Sequence, residues 1–306
     1  MQIQLDGTSL LELCNRRILI LGATGWLGQT IIREMGFSER SRYLLCASYA
    51  RTLRVGPDLF KVQNVDMTEI RRFKPEIVIN CAFLTREKVE TLGIDEFIRV
   101  NQILSSNFLE IATLSSVEVA LTISSGSATL ESAQSIELNP YGYLKRIEQE
   151  NLLSLSSSSL NVGVARAWSL SGDLVPLPAA YAFSDFVWQA LKTHSISVKA
   201  QSEVWRRYCD AGQFLRLVLL STFLSRSSIV DSGGPLIEVR DLASKISESH
   251  DSVTVYKYHP HGIPDNYYSS GDQYEKLCVE FGFPLESIDD QIKRISTSFR
   301  NRINGS

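Results

Sequence analysis

The sequence predicts an α/β protein, a doubly wound parallel sheet followed by a smaller second region. Three observations carry that reading. Short continuous apolar runs alternate with helical spacing through the first half of the chain, as in strands buried on both faces. A glycine-rich turn follows the first run and opens the first helix. After Arg166 the alternation stops, and helices mix with short strands and loops.

The first run, Ile18-Leu19-Ile20-Leu21, is a buried strand, and the helix beyond the turn covers about residues 26–35. Strands follow at 43–48, 60–65 and 77–80, then a helix over 95–113, a strand at 117–124, a helix over 141–153 and a sixth strand at 162–165. The serine run at 156–159 is a short loop. Further on, residues 183–193 and 214–224 have helical spacing, and 239–247 reads as a late helix of the sheet domain. Beyond Tyr256 a proline-bearing loop precedes two helix-like stretches. The expected domains are 1–167, with a later contribution from about 228–248, and a discontinuous region drawn mainly from 168–306.

Composition narrows the function classes. A chain of 306 residues with 44% hydrophobic and 21% charged residues can bury a large core without disulfides or metals. A net charge of −3 gives no general attraction to nucleic acid or acidic membranes, so neither is an expected partner. The five cysteines, Cys14, Cys46, Cys81, Cys209 and Cys278, are odd in number and lack C-x-x-C spacing, which fits a reducing compartment. The segment MQIQLDGTSLLEL has no basic stretch leading into an apolar one, so no signal peptide is expected. The apolar run near 215–224 is too short to span a bilayer. A cytoplasmic protein follows as the expectation. His259-Pro260-His261 has no third ligand nearby and reads as a polar loop, so no metal is expected.

Two motifs carry the chemistry. In Gly22-Ala23-Thr24-Gly25-Trp26-Leu27-Gly28 the glycines permit a tight turn, close backbone approach to a pyrophosphate and close helix–strand packing. The helix N-terminus offers N–H groups and a positive dipole end to the phosphates. Together with the strand pattern, this is the Rossmann-type arrangement. The second motif is Tyr141-Gly142-Tyr143-Leu144-Lys145. Residues four apart share a helix face, and an ammonium beside a phenol favours the phenolate. Such a tyrosine can move a proton on or off a substrate hydroxyl. Ser124-Ser125-Gly126 closes the fifth strand shortly before it, where a hydroxyl can hydrogen-bond the reacting oxygen. Tyr143 is only two residues from Lys145 and points elsewhere.

These residues resemble the extended short-chain dehydrogenase/reductases, with the GxxGxxG turn and the epimerase/dehydratase members in particular, and the resemblance covers nearly the whole chain. It implies an NAD(P)-dependent enzyme with Ser125, Tyr141 and Lys145 as the catalytic set. Ser127 is the lesser candidate for the serine. The resemblance implies a cofactor held by Gly22, Thr24, Gly25, Trp26, Leu27 and Gly28, by Asp66 and Met67 after the third strand, by Cys81 and Ala82 in the family's N-A-A element, and by Tyr141 and Lys145. Val100-Asn101 matches its helical V-N. The family's V-Y-G after the serine is replaced by Ala128-Thr129-Leu130, which affects loop geometry.

An acid that would hold a ribose is absent after the second strand, where Cys46 to Arg51 stand instead. Arg51, with Arg54 near it, can take a 2′-phosphate, so NADP is the expected cofactor and NAD the alternative. Phe83 and Ser125 are expected beside the substrate. Trp205-Arg206-Arg207-Tyr208 resembles the segment whose arginine holds a sugar-nucleotide diphosphate, which maps onto Arg206, with Arg207 as the fallback. The implied function is a sugar-nucleotide epimerase or ketoreductase acting on a nucleotide-sugar substrate, with a homodimer left open. Gly126-Ser127 replaces the Asp-Glu pair of the family's dehydratases, which ranks dehydration low. A regulatory sensor binding NADP without turnover and a reductase of a non-sugar carbonyl are the alternatives. The intact Tyr/Lys pair counts against the first and the Arg206 segment against the second. Phe183 and Trp188, at helical spacing, read as core rather than as a stacking platform.

Overall fold

The apolar run at the start of the chain forms strand β1 (Arg17–Leu21), with Ile18, Leu19 and Ile20 fully buried. It lies inside an eight-stranded sheet in the computed structural model, which describes residues 13, 15–37, 42–176, 181–224, 228–258 and 261–304. The chain continues through helix α1 (Trp26–Met35), strands β2 (Arg42–Cys46), β3 (Arg51–Val55) and β4 (Asp58–Gln63), helix α2 (Met67–Phe73) and strand β5 (Ile77–Asn80). Helices α3 (Lys88–Leu92) and α4 (Ile94–Ala112), strand β6 (Val119–Ser125), helix α5 (Pro140–Ser154) and strand β7 (Asn161–Ala167) follow.

From one edge the sheet order is Ser228–Asp231, β7, β6, β5, β1, β2, β4 and β3. β1 pairs in parallel with both β2 and β5. The chain therefore moves outward through β2 and β4, then crosses back to β5, β6 and β7. Doubly wound sheets bind their ligands beyond the carboxyl ends of the strands, where the winding reverses. Here that point lies between β1 and β5, so it brings the glycine turn beside the segment after Asn80.

Strand β3 departs from the sequence reading. It pairs antiparallel with β4 across the two-residue turn Gly56-Pro57, with Gly56 at φ 62°. Only Leu53 and Val55 of its five residues are buried, so this edge strand carries little apolar signal and has no place among the strands expected from the sequence. Helix α2 is equally short of apolar residues, burying only Ile70.

The chain divides into two compact units. The first runs to Ala167 and takes back Leu215–Val230; the second is Trp168–Phe214 with the residues from Asp231 onward. The remaining elements are β8 (Leu170–Ser171), α6 (Ala182–Thr193), β9 (Ser195–Val198), β10 (Val204–Arg207), β11 (Cys209–Asp210), α7 (Ala211–Leu224), β12 (Ser228–Asp231), β13 (Leu236–Glu238), α8 (Val239–Ser249), β14 (Val253–Tyr256), β15 (Asp265–Asn266), α9 (Asp272–Phe281) and α10 (Ile288–Asn304). The late return to the first unit is α7 and β12 rather than the helix near 239–247. The reason is burial. Leu217, Val218, Leu220 and Thr222 are all inaccessible, as expected of a helix apolar on every side. Arg216 of α7 also reaches Glu34 of α1 at 2.6 Å. Helix α8 is amphipathic and sits in the second unit, burying Leu242, Ala243 and Ile246.

Phe183 is fully buried in the second unit and meets Tyr208 edge to face, while Trp188 packs on Phe299. In the first unit Phe108 of α4 is fully buried against Leu19, Val78, Ala120 and Val162 of four strands. Phe108→Ala removes a fully buried ring from this cluster and should cost about 3–5 kcal/mol in unfolding free energy. A loss under about 1 kcal/mol in denaturant titration would mean that the site repacks.

Candidate active site

The glycine turn is built by exclusion. Gly22 lies at φ 70°, and a Cβ there would come within 2.6 Å of the Ala82 nitrogen. A Cβ on Gly28 would come within 2.4 Å of the Gly22 carbonyl oxygen. Gly25 differs: its Cβ would meet nothing closer than that same oxygen at 3.4 Å. The fold therefore demands glycine at 22 and 28, whereas at 25 the protein itself leaves room for a side chain. Gly25 is also the N-cap of α1, without a side-chain cap, and the first turn of α1 carries no acid. That leaves the positive end of the helix dipole without a carboxylate from the helix's own first turn.

Arg51 opens β3 at the end of the sheet where β2 and β4 finish, since Cys46 pairs with Gln63 and Arg51 with Val62. Its guanidinium stacks over the Tyr49 ring and donates to the Tyr49 hydroxyl at 2.9 Å. Arg54 stands three residues along, with the side-chain alternation of a strand against it, so it faces away from Arg51. The two arginines therefore do not act together. Asp66 is the N-cap of α2: its carboxylate accepts the Glu69 N–H at 2.9 Å, and Glu69 accepts the Asp66 N–H in return. The reciprocal pair fixes Asp66 and Met67 at the start of α2.

Beyond β5, Asn80 turns the chain by accepting the Ala82 N–H at 3.0 Å. The Cys81 N–H donates to the Leu21 carbonyl, which ties the segment to the end of β1. The Cys81 thiol is pushed up to about 12 by burial, with Lys145 pulling the other way. Asn101, wholly buried in α4, holds the backbone of Leu84 through both its N–H and its carbonyl. Phe83 lies between these clamps. Its ring meets Tyr141 edge to face with centroids 5.7 Å apart, and the Lys145 Nζ sits 3.7 Å from its centroid.

Ser125 ends β6 and its hydroxyl oxygen accepts the Ser127 N–H at 3.1 Å, which caps the 3₁₀ turn Gly126–Thr129. Ser127 is spoken for: Asn139, the N-cap of α5, donates to it at 3.1 Å and to Ser132 at 3.2 Å. Gly142 lets α5 approach this turn, since a Cβ there would fall 2.6 Å from the Ser127 carbonyl oxygen. Tyr143 turns toward Arg146, which stacks over it.

Lys145 is buried. Its ammonium donates to the Ile123 carbonyl at 2.6 Å and lies 3.4 Å from a carboxylate oxygen of Glu148. Burial lowers its pKa, and Glu148 opposes that shift. Glu148 is itself inaccessible and accepts from Thr122 at 2.7 Å, Ser105 at 2.5 Å and Asn80 at 3.3 Å. Sequence reasoning missed Glu148. The signal was available: on α5 the stripe that faces the sheet carries Lys145, Glu148 and Gln149, where a core helix has apolar residues. Gln149 accepts from Ser124 and from Arg166.

Arg206 belongs to the second unit. It donates to the Asp265 carboxylate at 2.7 Å and to the Asp265 carbonyl at 3.0 Å, and lies over the Tyr267 ring. Arg207, on the other face of β10, binds the Gly234 carbonyl and Glu275. Tyr267 also packs on Trp168, whose indole N–H donates to Asp231. Among the described residues no group of three His, Cys, Asp or Glu side chains is placed to hold a metal ion, and no helix is long and apolar enough to cross a membrane. His259 and Cys14 lie outside the described residues.

Sheet order and the glycine turn define a Rossmann-type fold. The family model for the NAD dependent epimerase/dehydratase family matches residues 18–222, more than half of the chain. The protein belongs to that family and is an NAD(P)-dependent enzyme of the epimerase/reductase type. No curated protein sequence matches the chain. Among solved structures, MoeE5 in complex with UDP-glucose and NAD is similar at a TM-score of 0.72 and 16% identity, over 94% of this chain and 99% of that one. A UDP-glucose 4-epimerase from Thermotoga maritima is similar at 0.70 and 18%, over 94% and 99%. A GDP-mannoheptose C4 reductase from Campylobacter jejuni with NADP bound is similar at 0.67 and 12%, also over 94% and 99%.

The contrast within the turn is testable. Gly28→Ala should lower the thermal midpoint of the cofactor-free protein, because its Cβ meets backbone. Gly25→Ala should leave that midpoint nearly unchanged and weaken dinucleotide binding in calorimetry. Equal effects of the two variants on stability would remove the distinction.

Proposed function

We propose that the protein is a sugar-nucleotide epimerase or ketoreductase that works through Ser125, Tyr141 and Lys145. The observation that carries this reading is the joint contact of Tyr141 and Lys145 with Phe83, on the strand-end segment beside Ser125. Tyr141 and Lys145 share one face of α5, and β5 and β6 are neighbours in the sheet.

The site divides into roles. The Tyr141 phenol gives or takes the proton of a substrate hydroxyl. Lys145 holds a positive charge beside it, which favours the phenolate and brings the tyrosine toward a working range. Ser125 hydrogen-bonds the reacting oxygen. Phe83 walls the site on the substrate side and excludes water from the ammonium. Gly22, Thr24, Gly25, Trp26, Leu27 and Gly28 would hold the dinucleotide phosphates, Asp66 and Met67 its adenine end, and Cys81, Ala82, Tyr141 and Lys145 its nicotinamide end. Room at Gly25 and an acid-free helix start fit such a group. A nicotinamide dinucleotide supplies the hydride donor and acceptor when bound.

Two finer points belong to the same proposal. Arg51 favours NADP, because an exposed guanidinium stands where an acid would be needed to hold a ribose hydroxyl. Arg206 takes the diphosphate of a nucleotide sugar. Its bonds to Asp265 and to the Trp205 carbonyl leave Nε and one Nη2 proton for an anion, so the arginine is oriented in advance.

Tyr141→Phe should keep the fold and cofactor binding and lose about 10²–10⁴-fold in turnover on a panel of UDP- and GDP-sugars. Wild-type rates in that variant would rule out the catalytic assignment.

Arg51→Ala should cost about 1.5–3 kcal/mol of NADP binding and leave NAD binding unchanged, measured by fluorescence titration. Tighter NAD than NADP binding in the wild type would reverse the cofactor preference.

A further inference from the structure

Lys145 is almost wholly buried, with 4% of its surface exposed. It is buried beneath Phe83, and apart from Glu148 the group that takes its hydrogen bond is the neutral Ile123 carbonyl. The titratable groups facing it are few. On its own helix these are Glu148 and, one turn earlier, Tyr141; from the segment after β5 there is Cys81. Cys81, pushed up to about 12, stays a neutral thiol at neutral pH and offers no countercharge. Glu148 is thus the anion that balances the ammonium. Around Glu148 stand Ser105 from α4, Asn80 from β5 and Thr122 from β6, all neutral donors. Four donors converge on one carboxylate, which is the arrangement that makes a buried charge tolerable.

We infer that Glu148 is a positioning residue of this site, which keeps Lys145 an ammonium and fixes it relative to the Cys81–Phe83 segment through Asn80. The inference rests on the proposed Tyr141/Lys145 chemistry for its functional meaning but stands on the buried pair for its physics. Two consequences follow from the geometry. The same carboxylate bonds Lys145 and Asn80, and Asn80 in turn sets the backbone at Ala82, so the charge and the loop are coupled. A neutral residue at 148 leaves the ammonium buried without a countercharge, held only by the Ile123 carbonyl, and desolvation then favours the amine.

The sign is therefore fixed. With the carboxylate present the lysine holds its proton to higher pH; with it removed the lysine loses that proton at lower pH. The test is the titration of the Lys145 ε-carbon by NMR in the cofactor-free full chain, with the signal assigned by its loss in Lys145→Arg. In Glu148→Gln, which keeps the shape and part of the hydrogen bonding, the midpoint should fall by about one pH unit or more. Glu148→Asp keeps the charge but draws it back by one methylene, and its midpoint should lie between the two. If Glu148→Gln fails to fold, the Glu148→Asp shift alone decides. An unchanged or raised midpoint in the variant that folds overturns the inference. The activity profile separates the two proposals. In Glu148→Gln the alkaline limb should move to lower pH by the same amount as the NMR midpoint. A shifted midpoint together with a fully active Tyr141→Phe would sink the catalytic reading and leave the ion pair standing. An inactive Tyr141→Phe with no shift would do the reverse.

Discussion

An ammonium buried in the first unit sets terms for everything around it. Lys145 cannot be solvated, so it takes the Ile123 carbonyl and the Glu148 carboxylate. Glu148 cannot be solvated either, so it takes Thr122, Ser105 and Asn80. Those five partners come from β6, α5, α4 and β5, and their demands fix how the elements register. Removing one member of such a pair commonly costs about 3–5 kcal/mol, because the survivor is left charged and unpaired. An apolar core could do the packing without that risk, so the network makes sense where a charge is needed for its own sake. Polar residues on the core stripe of α5 are what the proposed chemistry of Lys145 would require, where packing alone asks for apolar ones.

The glycine turn obeys a different constraint, one of space. Gly22 and Gly28 are dictated by the backbone of the turn and of the segment after β5. Gly25 is not dictated by any protein atom, although a side chain there would stand at the opening of α1. A residue kept small for no internal reason, at the positive end of a helix dipole, is what an approaching anion requires. The same comparison sorts Arg51 from Arg54. Three residues apart and alike in charge, they point to opposite faces of an edge strand, and only Arg51 stands at the carboxyl ends of the parallel strands.

The second unit shows restraint of another kind. Arg206 is held by Asp265 and flanked by Tyr267, which itself leans on Trp168. Tying a long side chain down in advance reduces the entropy lost when it meets an anion. Arg207, on the opposite face of the same strand, is committed to the Gly234 carbonyl and Glu275.

Much of this was legible in the sequence. Apolar runs buried on both faces read as central strands, as at 18–21, 77–80 and 162–165, where Asn80 at the end of β5 is the one polar side chain. The turn after β1 and the Tyr/Lys spacing were equally plain, since both depend on neighbours within seven residues. What local pattern could not supply were features made by distant partners. Strand β3 has a single weak apolar face and exists because β4 pairs with it. Helix α7 joined the first unit because a helix apolar on all sides must be buried. In the sequence Glu148 is one acid among several on a helix. Only when β5, β6 and α4 are brought around it does it become the countercharge of Lys145, because burial, the quantity that turns a common acid into a necessary one, is a property of the assembled fold.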